Sequence, residues 1–89
     1  MAEPFLLKIV TPEKAFYSGR VSSMVAPGNI GSFGILPNHA PLIACSNGGR
    51  LKINEADQSG DRFFKIGSGI IEVLNNQVTI LTKDAEAIS

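Results

Sequence analysis

Few side chains in this chain could do chemistry. It has one histidine, His39, one cysteine, Cys45, and carboxylates dispersed over separate turns. A metal centre needs three or four ligands converging at fixed distances, and no group here has such spacing. His39 and Cys45 could form a base and a nucleophile, but that pair also needs an orienting group and an oxyanion hole inside a cleft. Cys45 closes the apolar run Leu42-Ile43-Ala44-Cys45, where a free thiol is expected to behave as a small buried hydrophobe. Gly28, Gly31 and Gly34 are three residues apart, yet they lack the G-x-G-x-x-G spacing, a following Lys-Ser/Thr, and a helix to offer its N-terminus to a phosphate. Asp57-Gln58-Ser59-Gly60-Asp61 has too few ligands at the right offsets for a calcium loop and reads as a hairpin turn. The expectation is a chain with no catalytic, cofactor-binding or metal-ligating residue.

The remaining feature is the corner Leu36-Pro37-Asn38-His39-Ala40-Pro41-Leu42. Pro37 and Pro41 each fix φ and remove an N–H donor, so this segment cannot be an ordinary central strand. It reads as a rigid bend. His39 then either hydrogen-bonds backbone groups to hold the bend or projects as a polar contact at an interface. The glycine loop raises a similar choice, since glycines three apart let a chain reverse and leave Ile30, Ser32 and Phe33 outside as contact residues.

These residues must be positioned by strands. Phe5 to Val10 alternates with Phe5, Leu7 and Ile9 on one side and stops at Thr11-Pro12. Val21 to Val25 repeats the pattern and ends at Pro27-Gly28-Asn29. Gly34 to Leu36 and Leu42 to Ser46 are short extended pieces. Arg50 to Asn54 and Arg62 to Ile66 place Leu51, Ile53, Phe64 and Ile66 inward. Ile70 to Leu74 and Gln77 to Thr82 flank Asn75-Asn76, a pair that tolerates the left-handed conformations of a tight hairpin. Outside Lys83 to Ser89, which loses branched residues and reads as the opening of a helix, no helical periodicity appears. The fold class is all-β, a small sandwich or flattened barrel, because one flat sheet would leave an apolar face in water. With Phe5, Leu7, Ile9, Val21, Val25, Leu51, Ile53, Phe64 and Ile66 as core, the outer faces still hold Leu6, Val10, Met24 and Phe63. Such a surplus marks a docking surface if it is contiguous, and ordinary exposure if it is scattered.

Composition sets the remaining bounds. The 89 residues suit one domain. Hydrophobic residues make up 44% and charged ones 18%, enough to collapse and too little charge for disorder. Eight basic residues balance eight acidic ones, so the positive field of a nucleic-acid binder is missing. The first residues show no leader pattern and a lone cysteine allows no internal disulfide, so a reducing, intracellular setting is expected. No apolar run approaches the length that spans a bilayer. A swinging carrier for biotin or lipoate is another small β-sandwich, but it needs a lysine at an exposed hairpin tip, and neither Asn75-Asn76 nor Asp57 to Asp61 has one.

The string Gly31-Ser32-Phe33-Gly34-Ile35-Leu36-Pro37-Asn38-His39-Ala40-Pro41-Leu42 closely resembles a signature of the epsilon subunits of F-type ATP synthases. Leu7 to Glu13, Tyr17 to Val21, Gly67 to Val73 and Val78 to Leu81 follow that family's order, so the resemblance covers Phe5 to Ala87. It implies a sandwich of about ten short strands that clamps the gamma subunit and sits on the ring of proteolipid c subunits, as a non-catalytic rotor-stalk part without a cofactor of its own. It further implies Ile30, Ser32 and Phe33 as the contact with the ring and Thr11, His39 and Pro41 as the contact with gamma. The expected setting is the surface of a membrane without bilayer insertion, on the cytoplasmic face of a bacterial inner membrane or its stromal or matrix equivalent. Most members continue into a helical hairpin. Residues 1–83 are therefore expected to be the sandwich, and 84–89 a short tail where a helical region would start.

Overall fold

In the computed structural model, which describes residues 3–88, strands account for the whole secondary structure of the described residues. They are β1 (Phe5–Val10), β2 (Ala15–Gly28), β3 (Gly31–Ile35), β4 (Leu42–Ser46), β5 (Gly49–Glu55), β6 (Arg62–Ile66), β7 (Gly69–Leu74), β8 (Gln77–Thr82) and β9 (Ala85–Ile88). The hydrogen-bonded order is β4-β7-β8-β1-β2-β5-β6-β9, with β3 also on β2. Neighbours are antiparallel except β1 and β8, which run parallel.

This single path makes two layers because β2 is long enough to serve both. Its first half pairs with β1, from Val10↔Ala15 to Phe5↔Val21. Its second half lies between β3 and β5. The change falls at an irregularity between Val21 and Ser23, where an extra residue bends the strand. The bend lays the β4-β7-β8-β1 layer over the β3-β2-β5-β6-β9 layer, with one core between them. Phe5, Leu7, Ile9, Ile71, Val73, Val78 and Ile80 fill it from one side, and Met24, Ile35, Leu51, Ile53, Phe64 and Ile66 from the other.

The same irregularity corrects the inward set. Period two puts Val21 and Val25 on one side, but the extra residue inverts parity beyond it. Met24 and Ala26 are buried, and Val25 is 37% exposed. The other eight predicted core residues are buried. A second correction concerns the end of the chain. Ala85–Ile88 is not helical; it pairs with β6 from Phe63↔Ile88 to Ile66↔Ala85. Thr82 prepares this, since its buried hydroxyl lies 2.9 Å from the Gly67 carbonyl and 3.0 Å from that of Asp84. Residues 1, 2 and 89, the outermost of the expected sandwich and tail, lie outside the described residues.

Where the layers part, Tyr17 closes the gap. Its hydroxyl donates to Glu55 Oε2 at 2.6 Å and its ring packs 5.3 Å from Phe64. Arg62 sits 5.0 Å above the Phe64 ring and 3.3 Å from Glu55. Burial, followed by the bond to Glu55 and its negative charge, pushes the Tyr17 phenol well above its usual range, against a smaller opposing effect of Arg62.

Candidate functional site

The proline corner is a turn closed by His39 N–H donating to Leu36 O at 3.2 Å. Pro37 takes the second place, where its fixed φ fits, and Asn38 the third with φ 63°, the pattern of a type II turn. The half-buried His39 holds Nδ1 2.8 Å from Ala40 O. The first expectation for it holds, since one ring nitrogen braces the bend, and the ring remains partly open to solvent. Pro41 is exposed and leads directly into β4.

Thr11 opens the turn between β1 and β2, where its N–H donates to Lys14 O at 2.9 Å and its hydroxyl to the same carbonyl at 3.2 Å. It lies at the far end of β1 from the proline corner, roughly 20 Å away at the rise of an extended strand. The structure thus brings His39 and Pro41 together and leaves Thr11 apart; Thr11 lines a depression with Ile70 and Leu81, and Pro41 one with Ile43 and Leu74.

That face was not foreseen as a unit. Across β4, β7, β8 and β1 the outward residues fall in register as Cys45↔Ile70, Ile70↔Leu81 and Leu81↔Val10. Ile70 is 44% and Leu81 51% exposed, and Ile43 on the next outward position of β4 is 72% exposed. Leu74 and Leu6 extend the patch toward the corner, and Glu72 and Lys8 stand within it on either side of Thr79. Shallow depressions run along it, one lined by Val10, Thr11, Ile70 and Leu81, another by Ile43, Ile70 and Leu81. The row Val10, Leu81, Ile70 and Cys45 is contiguous, and the polar row Lys8, Thr79 and Glu72 separates it from Leu6 and Leu74. A sequence signal existed in the apolar pair Ile70-Ile71 and in Leu81, which make both sides of β7 and β8 apolar. Of the four residues expected outside, Leu6 and Val10 belong to this face, Met24 is buried, and Phe63 lies under Arg50 on the other layer at 4.1 Å.

Two expectations change. Cys45 is exposed, because β4 is an edge strand whose alternation turns Ser46 inward and Cys45 out. Phe33 is not at the loop tip. It lies in β3 opposite Ala26, half-buried and packed on the core. The tip is Asn29-Ile30, between the pair Gly28↔Gly31, with Gly31 at φ 138°, a conformation that suits glycine. Ile30 is fully exposed there and Ser32 is exposed beside it. Ile30, Phe33, Ala44 and Cys45 line an open apolar groove between the hairpin and β4. The Ser46 hydroxyl donates to Pro27 O and fixes the hairpin to β4.

Among the described residues no group of three or more His, Cys, Asp or Glu could hold a metal ion, and no helix is long and apolar enough to cross a membrane. What the arrangement presents to solvent is a broad apolar face and a hairpin tip.

Residues 4–88 match the family described as "ATP synthase, Delta/Epsilon chain, beta-sandwich domain". The chain is 45% identical over 80 residues to the ATP synthase epsilon chain of Chlorobium limicola, covering 90% of each. It is 42% identical over 88 residues to that of Desulforamulus reducens, covering 97% of this chain and 64% of the other. In fold it resembles a chain of the Euglena gracilis mitochondrial ATP synthase, at TM-score 0.88 and 18% identity over 98% of this chain and 55% of that one. A chain from the central stalk and c-ring of the Tetrahymena thermophila mitochondrial enzyme gives TM-score 0.76 and 23% identity, over 96% of this chain and 67% of that one.

Proposed function

The chain belongs to the ATP synthase delta/epsilon family through its β-sandwich domain, and from that premise we propose that it couples the gamma subunit to the proteolipid c-ring within the central rotor. Members of this family are stalk subunits of the synthase and not its catalytic ones. The complex is membrane-associated, and the reading places this subunit on the cytoplasmic face of a bacterial inner membrane, or the stromal or matrix face in an organelle. One of the solved chains that the fold resembles comes from an OSCP/F1/c-ring assembly and the other from a central stalk with its c-ring, which supports those two partners.

The observation that carries the proposal is the apolar row of half-buried Val10 and exposed Leu81, Ile70 and Cys45, in register across four strands. Contiguous apolar surface on a monomer marks a docking site. Gamma seats on this face, with Thr11 at one end and His39 and Pro41 at the other. Ile30 at the hairpin tip, with Ser32 and Phe33 behind it, meets the c-ring. The roles follow from mechanics, since a part that transmits torque must resist shear, and a close-packed sandwich does. No bond is made or broken by this chain; proton flow through the ring reaches the catalytic sites as rotation.

The test is reconstitution. The 89-residue chain, supplied as the sole epsilon, is expected to co-purify with gamma and to restore proton-driven ATP synthesis to an epsilon-depleted complex. Failure to associate with gamma under any condition overturns the proposal.

A further inference from the structure

One side chain ties together three distant parts of the chain at the proline corner. The Asn76 carboxamide oxygen accepts the Asn38 backbone N–H at 2.7 Å, and its amide nitrogen donates to Pro4 O at 3.2 Å. The Asn76 carbonyl accepts the Leu6 N–H at 3.2 Å. As a hairpin tip, Asn75-Asn76 needs only residues that tolerate positive φ, here 51° and 60°, and glycine would serve the backbone equally well. The Asn76 side chain thus does more than the turn requires.

Its effect follows from turn geometry. A turn with proline second can place its central peptide in two orientations, type I and type II, which differ by a flip of that peptide while the closing hydrogen bond stays the same. The bond from His39 N–H to Leu36 O therefore does not choose between them. Asn76 does. In the observed orientation the Asn38 N–H meets the carboxamide oxygen; after a flip the Pro37 carbonyl would face that oxygen instead, two acceptors without a proton between them. The flip would also carry Asn38 away from φ 63°.

We propose that Asn76 is a positioning residue for the gamma contact: it selects the flipped Pro37–Asn38 peptide and so sets the direction in which Asn38 and His39 reach the partner. This rests on the reading that the corner meets gamma, and the experiment separates the two. Four variants, Asn76→Gly, Asn75→Gly as control, His39→Ala, and the double Asn76→Gly/His39→Ala, are compared by amide hydrogen exchange of the free chain and by calorimetric titration with purified gamma. Glycine suits both positive-φ sites, so the fold is kept. Asn76→Gly is expected to speed exchange at the Asn38 amide about 10-fold and to weaken gamma binding about 3- to 10-fold, the worth of one hydrogen bond. Asn75→Gly is expected to do neither, and the double variant to bind no more weakly than the weaker single one, as for groups acting as a unit. Unchanged exchange at Asn38 overturns the latch. Undiminished affinity in Asn76→Gly, or fully additive losses, overturns its positioning role while His39→Ala still weakens binding. If His39→Ala also binds normally, the placement of gamma at this corner fails, and the proposal with it.

Discussion

Ile70 and Leu81 face each other across β7 and β8, and both stand in solvent. Exposed branched and aliphatic residues paired in this way add little to a monomer and much to a docked complex, because their burial is completed only by a partner. Replacing Leu81 with Glu puts a charge at the middle of the row. We expect gamma affinity to fall about 10- to 100-fold, the loss typical of an interface centre, and the melting temperature to stay nearly unchanged. Affinity by calorimetry and thermal melting of the free chain check this; equal affinity would move gamma off this face. Exposed Cys45, cross-strand neighbour of Ile70, should react with a maleimide in the native free chain and be shielded once gamma is seated.

The family resemblance puts Ile30 and Phe33 in one contact, and the two should separate on mutation. Ile30 has no neighbours to lose, so Ile30→Asp should weaken association with the c-ring while leaving the Tm within error. Phe33 packs on the core, so Phe33→Asp should cost about 2 kcal/mol and lower the Tm by roughly 10 °C. Melting curves of the two variants decide it. A large loss for Ile30→Asp, or none for Phe33→Asp, would contradict the hairpin geometry.

The Tyr17 phenol gives a pH dependence with a definite sign. Its folded-state pKa is raised, so above the ordinary tyrosine value of about 10 the unfolded chain releases the proton before the folded one does. The folded state then binds more protons, and stability falls as pH rises. The contribution is complete below pH ~10 and is lost on the alkaline side only. Tyr17 is the sole tyrosine and there is no tryptophan, so phenolate absorbance reports this group alone. Tyr17→Phe should be about 1 kcal/mol less stable near neutrality and should show a flatter decline at alkaline pH. Phenolate appearing at ordinary tyrosine pH in the folded chain would refute the buried bond to Glu55.

How much of this was legible follows from what strands do. Phe5 to Val10 and Arg62 to Ile66 could be read directly, since each keeps strict period two and buries the alternate set. β2 could not, because its parity inverts at the bend, and only pairing with β1 and β5 shows where. Ala85-Glu86-Ala87 favours a helix by composition, yet β6 offers an open edge there and tertiary pairing overrides the weak local preference. The exposed apolar row could not be read as a unit, for a different reason. Val10, Cys45, Ile70 and Leu81 are far apart in sequence and become neighbours through strand register alone. The proline corner was visible as rigid, but its latch, Asn76, looked like a turn residue.

Gly69 tests whether the docking face depends on close packing of β7 on β8. A methyl group added at Gly69 would overlap the Leu81 carbonyl oxygen and lie 2.8 Å from Thr82 Cα. Both are backbone atoms, so no side chain can turn aside to make room, and the two strands would have to separate. Separation would strain the next pair, Ile70↔Leu81, and the buried Thr82 hydroxyl that holds the lead into β9. Gly69→Ala should therefore destabilise by roughly 3 kcal/mol, at the upper end of overpacking, and lower the Tm by roughly 15 °C. Gly34→Ala is the matched control. Its added methyl would meet only the Met24 carbonyl, at 3.9 Å, and should change stability by less than about 0.5 kcal/mol. At temperatures where both variants are folded, Gly69→Ala should also bind gamma more weakly than Gly34→Ala, because the strain falls on the residues that form the row. A Gly69→Ala protein with normal Tm and normal affinity would show that β7 and β8 are less tightly coupled than their register implies.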